Sequence, residues 1–490
     1  MDADRESPIL SRRRFLSVAA AGVSSLALAA CGGAATPAAQ PTAAGTAPEA
    51  TAAPAAAATT APAEAAPTAE PTPVPTATPA VLGTGAQRVV FWHGLGGADG
   101  ATFYQMLQQY AADHPDITIS SETYDWGVFY QKLPTATAAG TPPALGIMHS
   151  WGIKQFASQG ILQDADTIFF EPGLVPKDDF AKSLIDAITI NGKTQAVPFD
   201  NHGWINWVNT KVLKDAGLDP TNLPKNGTEF LDWANKIVVD ENGKHPTESG
   251  FDGDRVKIWA THSSWQRFTL PSTIWQFGGG MFTDDGKTSQ LNDPKTIAAV
   301  QYWHDLIFKH RVAPPAVPGV ASPPDLFKTN SIAFMWDGTW SLNFFKDNPD
   351  ALAVMEPMEI NSLAPDGKKG VRFDSHMMVI PTGVQDPDLK NAKDLIVWLS
   401  NNGETWATSG QVPARISVQG KPSVQAVKSV AVAGKQFTEF GRPGQTHSAI
   451  NEIVTAYEAA FSASLAGTTP TEQAMNEAHT AVQAILDSST

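Results

Sequence analysis

The sequence predicts an α/β protein built on a parallel sheet, and three observations carry that prediction. Residues 88–92, Arg-Val-Val-Phe-Trp, are a short apolar run of the kind a buried strand shows. After a turn rich in glycine (Gly94, Gly96, Gly97, Gly100), Phe103, Met106, Leu107, Tyr110 and Ala111 fall at the spacing of one helical face. His114 and Pro115 end that helix, and residues 117–119 alternate like a strand. A strand, a helix and a strand in that order form a βαβ unit, whose strands run parallel.

The same alternation continues along the chain. Residues 144–148 read as an apolar strand and 151–159 as a short helix. Further strands are expected over 196–199, 331–335 and 377–380, the last closed by Pro381. Helices are expected over 228–237, 294–309, 391–400, 451–465 and 471–486. No internal repeat is evident. The glycine turn is not a dinucleotide fingerprint, because Asp99 stands where that pattern needs its third glycine. It reads as a strand-to-helix turn that also faces a ligand.

Composition divides the 490 residues into three segments before any site is considered. In residues 1–31, Arg12, Arg13 and Arg14 precede an uncharged run from 15 to 30 that is too short and too alanine-rich to span a bilayer. That is the pattern of an export signal. Arg12 and Arg13 followed by Phe15 and Leu16 resemble a twin-arginine signal, with Ser17 where that motif often carries lysine. Cys31, the single cysteine, follows Leu28, Ala29 and Ala30 and precedes Gly32. This resembles the bacterial lipobox and implies cleavage before Cys31, lipidation of its thiol and a membrane anchor. A disulfide framework needs more than one cysteine.

Residues 32–86 are almost wholly Ala, Pro, Thr and Gly. Such a stretch has little to bury against the entropy of ordering it, and it reads as a disordered tether. From residue 87 onward the chain is rich in Trp, Phe and Ile and long enough for a large core. The net charge of −15 repels nucleic acid phosphates and anionic lipids, so neither is an expected partner.

Several local patterns, in order, resemble the extracellular solute-binding proteins of sugar-type importers driven by ATP. Residues 192–200, Gly-Lys-Thr-Gln-Ala-Val-Pro-Phe-Asp, are similar to that family's strand ending in Val-Pro. Trp207, Asn209, Lys211 and Leu213, continued by Ala216, Gly217 and Leu218, are similar to the following segment. Residues 223–230, 277–280 and 327–335 resemble later blocks, and Gly338, Thr339 and Trp340 resemble a Gly-x-Trp turn. The likeness covers most of residues 88–486. It departs at Ala144, where the family often has an acid, and at His376, where a small residue is usual.

The resemblance implies a two-lobed fold of the periplasmic-binding-protein kind with crossover hinge strands. The first lobe would take residues 87–198 and 359–411, and the second 199–358 and 412–490. It implies a chain that binds rather than catalyses and needs no cofactor or metal. Its ligand would be a sugar-like solute held between the lobes, and its partners the permease subunits of an importer in the cell envelope.

A neutral sugar calls for aromatic platforms and side chains that both donate and accept hydrogen bonds. Six of the fourteen tryptophans lie between 204 and 275. Trp233, Trp303 and Trp398 sit mid-helix and read as core. Residues at strand ends face the cleft in this class of fold, against the alternative of core or surface packing. On that ground the candidates are His93 after the first strand, Asp125 and Trp126 after the second, and His149, Ser150 and Trp151 after the next. Asp200, Asn201 and His202 follow the crossover strand. Trp265 and Trp275 approach a glycine turn, and Trp336, Asp337, Gly338 and Trp340 follow a further strand. Arg415 lies in a second crossover. Asp200, Trp340 and Trp151 carry the best local motifs.

The competing reading is a secreted glycoside hydrolase, which would need two carboxylates flanking a glycosidic bond. Many acids are available, but no catalytic signature block is visible. The mature chain has no Gly-x-Ser-x-Gly elbow, and no two histidines stand at the helical spacing of a common zinc motif. The many short strands and frequent turns of an all-β adhesin are also missing.

Overall fold

The apolar run at 88–92 lies inside β2 (Gln87–His93), with Val89 and Phe91 fully buried on one face and Trp92 buried on the other. The computed structural model describes residues 79–317 and 319–489. The expected export signal, Cys31 and most of the tether lie outside the described residues. β2 pairs parallel with β3 (Ile117–Thr123) and β4 (Leu145–His149). The helix Gly100–Asp113 crosses from β2 to β3 and buries Phe103, Met106, Leu107, Tyr110 and Ala111, the face predicted from their spacing. The opening βαβ unit is therefore as the sequence predicts.

β1 (Ala80–Leu82) adds an antiparallel edge to β3. This corrects the expectation that the tether runs unbroken to residue 86. Two apolar residues, Val81 and Leu82, follow the proline-rich stretch, and the free edge of β3 supplies backbone partners that burying Leu82 holds in place.

A hairpin of β5 (Thr189–Ile190) and β6 (Lys193–Thr194) precedes β7 (Val197–Pro198), and β8 (Asp200–Asn209) follows at once. β9 (Val239–Asp240) and β10 (Val256–Ile258) form a second small hairpin. The remaining strands are β11 (Phe334–Gly338), β12 (Met355–Met358), β13 (Val371–Asp374), β14 (His376–Val379), β15 (Val412–Pro413) and β16 (Gly441–Pro443).

These strands form two six-stranded sheets, one in each lobe. The first has the order β1-β3-β2-β4-β14-β7. The second has the order β11-β8-β13-β16, with β12 and β15 also on β8. β8 is the spine of the second sheet: β11 and β12 flank residues 204–209, while β13 and β15 pair with residues 200–203.

The chain changes sheets between β7 and β8, and returns between β13 and β14 across Ser375. β13 lies in the range expected of the first lobe, yet its Phe373 and Asp374 pair with Gly203 and His202 of β8. That corrects the return point from residue 359 to Ser375. The long strand β8 was legible only as a family motif. Ten residues buried on both faces show no alternation to read.

Buried tryptophans fill the second lobe and satisfy their indole N–H groups. Trp204 donates to Thr269 Oγ1 at 2.8 Å, Trp207 to the Gly338 carbonyl at 3.2 Å and Trp303 to Thr273 Oγ1 at 2.9 Å. Of the three tryptophans expected in the core, Trp303 is fully buried, while Trp233 and Trp398 are half-buried against it. Among the described residues, no helix is long and apolar enough to cross a membrane.

Trp303→Ala removes a fully buried indole and leaves Thr273 without that donor. It should cost about 3–5 kcal/mol of stability. Urea unfolding of the variant against the parent measures this, and a loss under ~1 kcal/mol would show that the site collapses to fill the void.

Candidate functional site

The two lobes meet at one buried carboxylate. Asp200 opens β8 immediately after the chain leaves the first sheet, and it is fully buried. Its Oδ1 accepts from His202 Nδ1 at 3.0 Å and from the His376 backbone N–H at 3.1 Å. Its Oδ2 accepts from His376 Nδ1 at 2.8 Å and from Trp406 Nε1 at 2.7 Å. Burial alone would raise its pKa, but the His376 charge and the bonds from both histidines outweigh that and hold the carboxyl well below its ordinary range. His376 moves the opposite way. Burial lowers its pKa, and the Asp200 charge more than reverses this, so the net shift is upward.

Around this carboxylate stand rings from both lobes. His202 and His376 stack with centroids 4.1 Å apart. His149, at the end of β4, lies 5.1 Å from His376 and 5.4 Å from His202. Its Nδ1 is 2.6 Å from Tyr130 Oη, which also accepts from the His149 backbone N–H at 3.0 Å. Burial, followed by the His376 charge, pushes His149 and His202 below their ordinary values. Trp126 covers His149 at 4.2 Å and stacks over His376 at 5.6 Å, and Trp151 stacks beyond His149 at 5.8 Å. From the second lobe, Trp340 meets His202 edge-on at 5.8 Å, with Phe268 and Trp265 beside it.

Two glycines make this aromatic wall possible. A Cβ on Gly94 would lie 2.2 Å from the Trp126 ring, and one on Gly338 would lie 2.2 Å from the Trp340 ring. Each lobe thus ends a strand in a glycine on which an indole rests.

The bacterial extracellular solute-binding protein family matches residues 95–406, well over half of the sequence. This chain belongs to that family. Among its curated relatives, a binding protein of Brucella abortus (strain 2308) is 24% identical over 261 residues, 51% of this chain and 57% of the relative. The chain thus spans little more than half the length of that relative. The maltotriose-binding protein of Pyrococcus abyssi (strain GE5 / Orsay) is 26% identical over 273 residues, covering 54% of this chain and 52% of the relative. Among solved structures, an ABC transporter solute-binding protein from Thermotoga lettingae bound to alpha-D-tagatose superposes with a TM-score of 0.71. It is 20% identical and covers 82% of this chain and all of that one. The two-lobed architecture is therefore shared.

In this solute-binding protein, Trp126, His149, Trp151, Asp200, His202, Gly338 and Trp340 gather at the meeting of the lobes. Ser150 and Asn201 lie at the edge of the group. Ser150 Oγ donates to Asp374 Oδ1, and Asn201 Oδ1 accepts from Ser375 Oγ at 2.6 Å. Trp265 is 56% exposed in a left-handed conformation, its ring 6.5 Å from Trp340.

Others are used elsewhere. His93 is buried with both ring nitrogens taken, by Ser121 Oγ at 2.8 Å and the Leu95 N–H at 3.2 Å, and burial pushes its pKa down to about 3. Asp125 caps the helix Trp126–Ala138 by accepting from the Gly127 N–H. Trp275 lies in the helix Gln266–Phe277 under Arg442, and Trp336 is buried, donating to Asn361 Oδ1 at 3.1 Å. Arg415 is bound to Asp179 at 2.6 Å. These five residues are placed by packing, capping or pairing rather than at the ring cluster.

Sequence reasoning left His376, Phe268, Tyr130 and Trp406 out of the site. Only His376 carried a signal, as a bulky polar residue where the family has a small one. A separate groove of about 550 Å³, lined by residues such as Pro224, Met358, Lys369 and Lys435, contains none of the predicted residues.

Asp337 is buried and accepts from the Gly338 N–H at 2.7 Å, and burial pushes its pKa up to about 7. The folded chain therefore holds a proton that the unfolded chain releases near pH ~4, so this group's contribution to stability falls as pH rises from ~4 to ~7. Asp337→Asn removes that dependence. Relative to the parent it should gain about 2–4 kcal/mol between those limits. Comparing urea unfolding of the two proteins at both pH values cancels the buried histidines, and a constant difference would place Asp337's charge in water.

Proposed function

We propose that this protein captures a small carbohydrate where its two lobes meet and delivers it to the membrane permease subunits of an ATP-driven importer. The observation that carries this reading is the wall of rings drawn from both lobes, Trp126 and Trp151 on one side and Trp340 on the other, around polar imidazoles. Indole faces stack on the apolar C–H faces of a sugar, while imidazoles and the Asn201 amide exchange hydrogen bonds with its hydroxyls. The maltotriose-binding relative and the tagatose-bound structure support the same ligand class. The lobes assigned for this use are residues 87–198 with 376–411 on one side, and the β8 sheet with residues 412–490 on the other.

The protein binds its ligand without reacting with it. Asp200, the acid closest to the rings, is already saturated by four donors and has no lone pair poised to take a substrate proton. Neither the family nor the relatives named above are described as hydrolases. The export pattern and lipobox likeness of residues 1–31 complete the reading. The chain leaves the cytoplasm, by the twin-arginine route, and Cys31 holds it by acyl chains to the outer face of the membrane at the end of a tether.

Native mass spectrometry of freshly purified protein identifies the co-purified sugar. With that sugar, Trp340→Ala should weaken binding by about 2 kcal/mol, roughly 30-fold. Calorimetry reads the change, and unchanged affinity in a folded variant would remove Trp340 from the site. The sugar should be recovered chemically intact after long incubation, whereas cleavage at enzymatic rates would replace this reading with a hydrolase.

Cys31→Ser should move the protein from the membrane to the soluble fraction of the cell envelope. Fractionation that finds the variant still anchored, with its signal processed as in the parent, would reject lipidation at Cys31.

A further inference from the structure

His149, His202 and His376 come from three different strands and are all buried. One ring nitrogen of each lies within 4.8 Å of those of the other two. In every one of the three, Nδ1 is already engaged. His149 Nδ1 is held by Tyr130 Oη at 2.6 Å, and His202 and His376 are held by the two oxygens of Asp200 at 3.0 and 2.8 Å. No hydrogen bond from their Nε2 atoms is formed among the described residues.

An oxygen on Nδ1 is how a metal-ligating histidine is usually oriented: it keeps the proton on Nδ1 and leaves the Nε2 lone pair for the ion. Here one carboxylate does this for two rings and a phenol does it for the third. Three imidazoles from three strands, each tied back through Nδ1, are a donor set that one cation can share, and binding it displaces any proton on the His376 Nε2.

We propose that His149, His202 and His376 form a three-imidazole site for a divalent transition metal of the zinc class, with Asp200 and Tyr130 as its positioning residues. Three nitrogens and no oxygen ligand suit zinc, cobalt, nickel or copper and do not suit calcium or magnesium. Zinc–nitrogen bonds of about 2.0–2.1 Å place neighbouring nitrogens roughly 3.3 Å apart, so the rings must draw together and turn out of their stack to reach the ion. Zinc held by three protein ligands keeps its fourth position open.

His149 belongs to the first sheet and His202 to the second, so an ion bound by both ties the lobes at their crossing. The site goes beyond the carbohydrate reading and does not depend on it. Sequence spacing could not show it, because the three residues are far apart in the chain and share no helix.

The test uses the full chain without a histidine tag, stripped with a chelator and titrated with Zn²⁺ and Co²⁺. One equivalent of each should bind, Co²⁺ should give visible ligand-field absorption, and zinc should raise the melting temperature. Zinc X-ray absorption should show three imidazole nitrogens at about 2.0–2.1 Å. His202→Gln should lose stoichiometric binding, and Tyr130→Phe should weaken it about 10-fold. A parent protein that gives no Co²⁺ absorption overturns the proposal, as does a folded His202→Gln that keeps the same affinity and spectrum. If His202→Gln does not fold, the X-ray absorption of the parent decides, and fewer than three imidazoles overturn the site. Sugar binding measured on the stripped protein separates the two readings: its survival alongside failed metal binding removes the metal site and leaves the carbohydrate site standing.

Discussion

The rest of the structure depends on the burial of the Asp200 carboxylate between the lobes. An ionised carboxylate out of water costs several kcal/mol unless its lone pairs are used. Here they are used by His202 of β8, by the backbone and ring of His376 at the start of β14, and by the Trp406 indole of the helix Gly403–Ala407. Three segments that are distant in sequence must therefore arrive together before the charge is compensated. β15 brings a fourth segment to the same point by pairing with Asp200 and Asn201. The crossing is consequently the most constrained place in a fold whose lobes are otherwise joined by short strands.

That constraint places the rings. Because His202 and His376 are both tied to one carboxylate, their planes stack, and His149 and Trp126 pack against the stack from the first lobe. The second lobe answers with Trp340, seated on Gly338 as Trp126 is seated on Gly94. Side-chain bonds across the lobes add to this, with Asn343 Nδ2 donating to the Ala98 carbonyl and Asn451 Nδ2 donating to Gln155 Oε1. A ligand or ion touching both walls favours the arrangement in which those bonds are made.

Much of the fold was legible. The helix Gly100–Asp113 follows from five apolar residues at one spacing, and the helices Pro294–Phe308 and Thr471–Ser488 follow in the same way. A wholly buried element such as β8 has no polar face and so no period. The helix Gln266–Phe277, buried along nearly its whole length and carrying Pro271 inside, shows no period for the same reason, and Trp275, expected where the chain approaches a glycine turn, lies within it. His93 was misleading in the opposite sense. It stands at a strand end, where ligands are met, but Ser121 and Leu95 take both its nitrogens.

The sequence by itself determined the α/β class and the family likeness, since these rest on periodicities and local motifs that neighbouring residues share. It also marked Asp200, His202, His149 and Trp340, because strand ends are places the chain order reveals. Only the tertiary structure decided that His376 completes a group with His149 and His202, and that Asp200 binds them from behind. Those relations are contacts between strands that meet through two crossings of the chain, and no local spacing encodes the distance between residues brought together by the packing of two sheets.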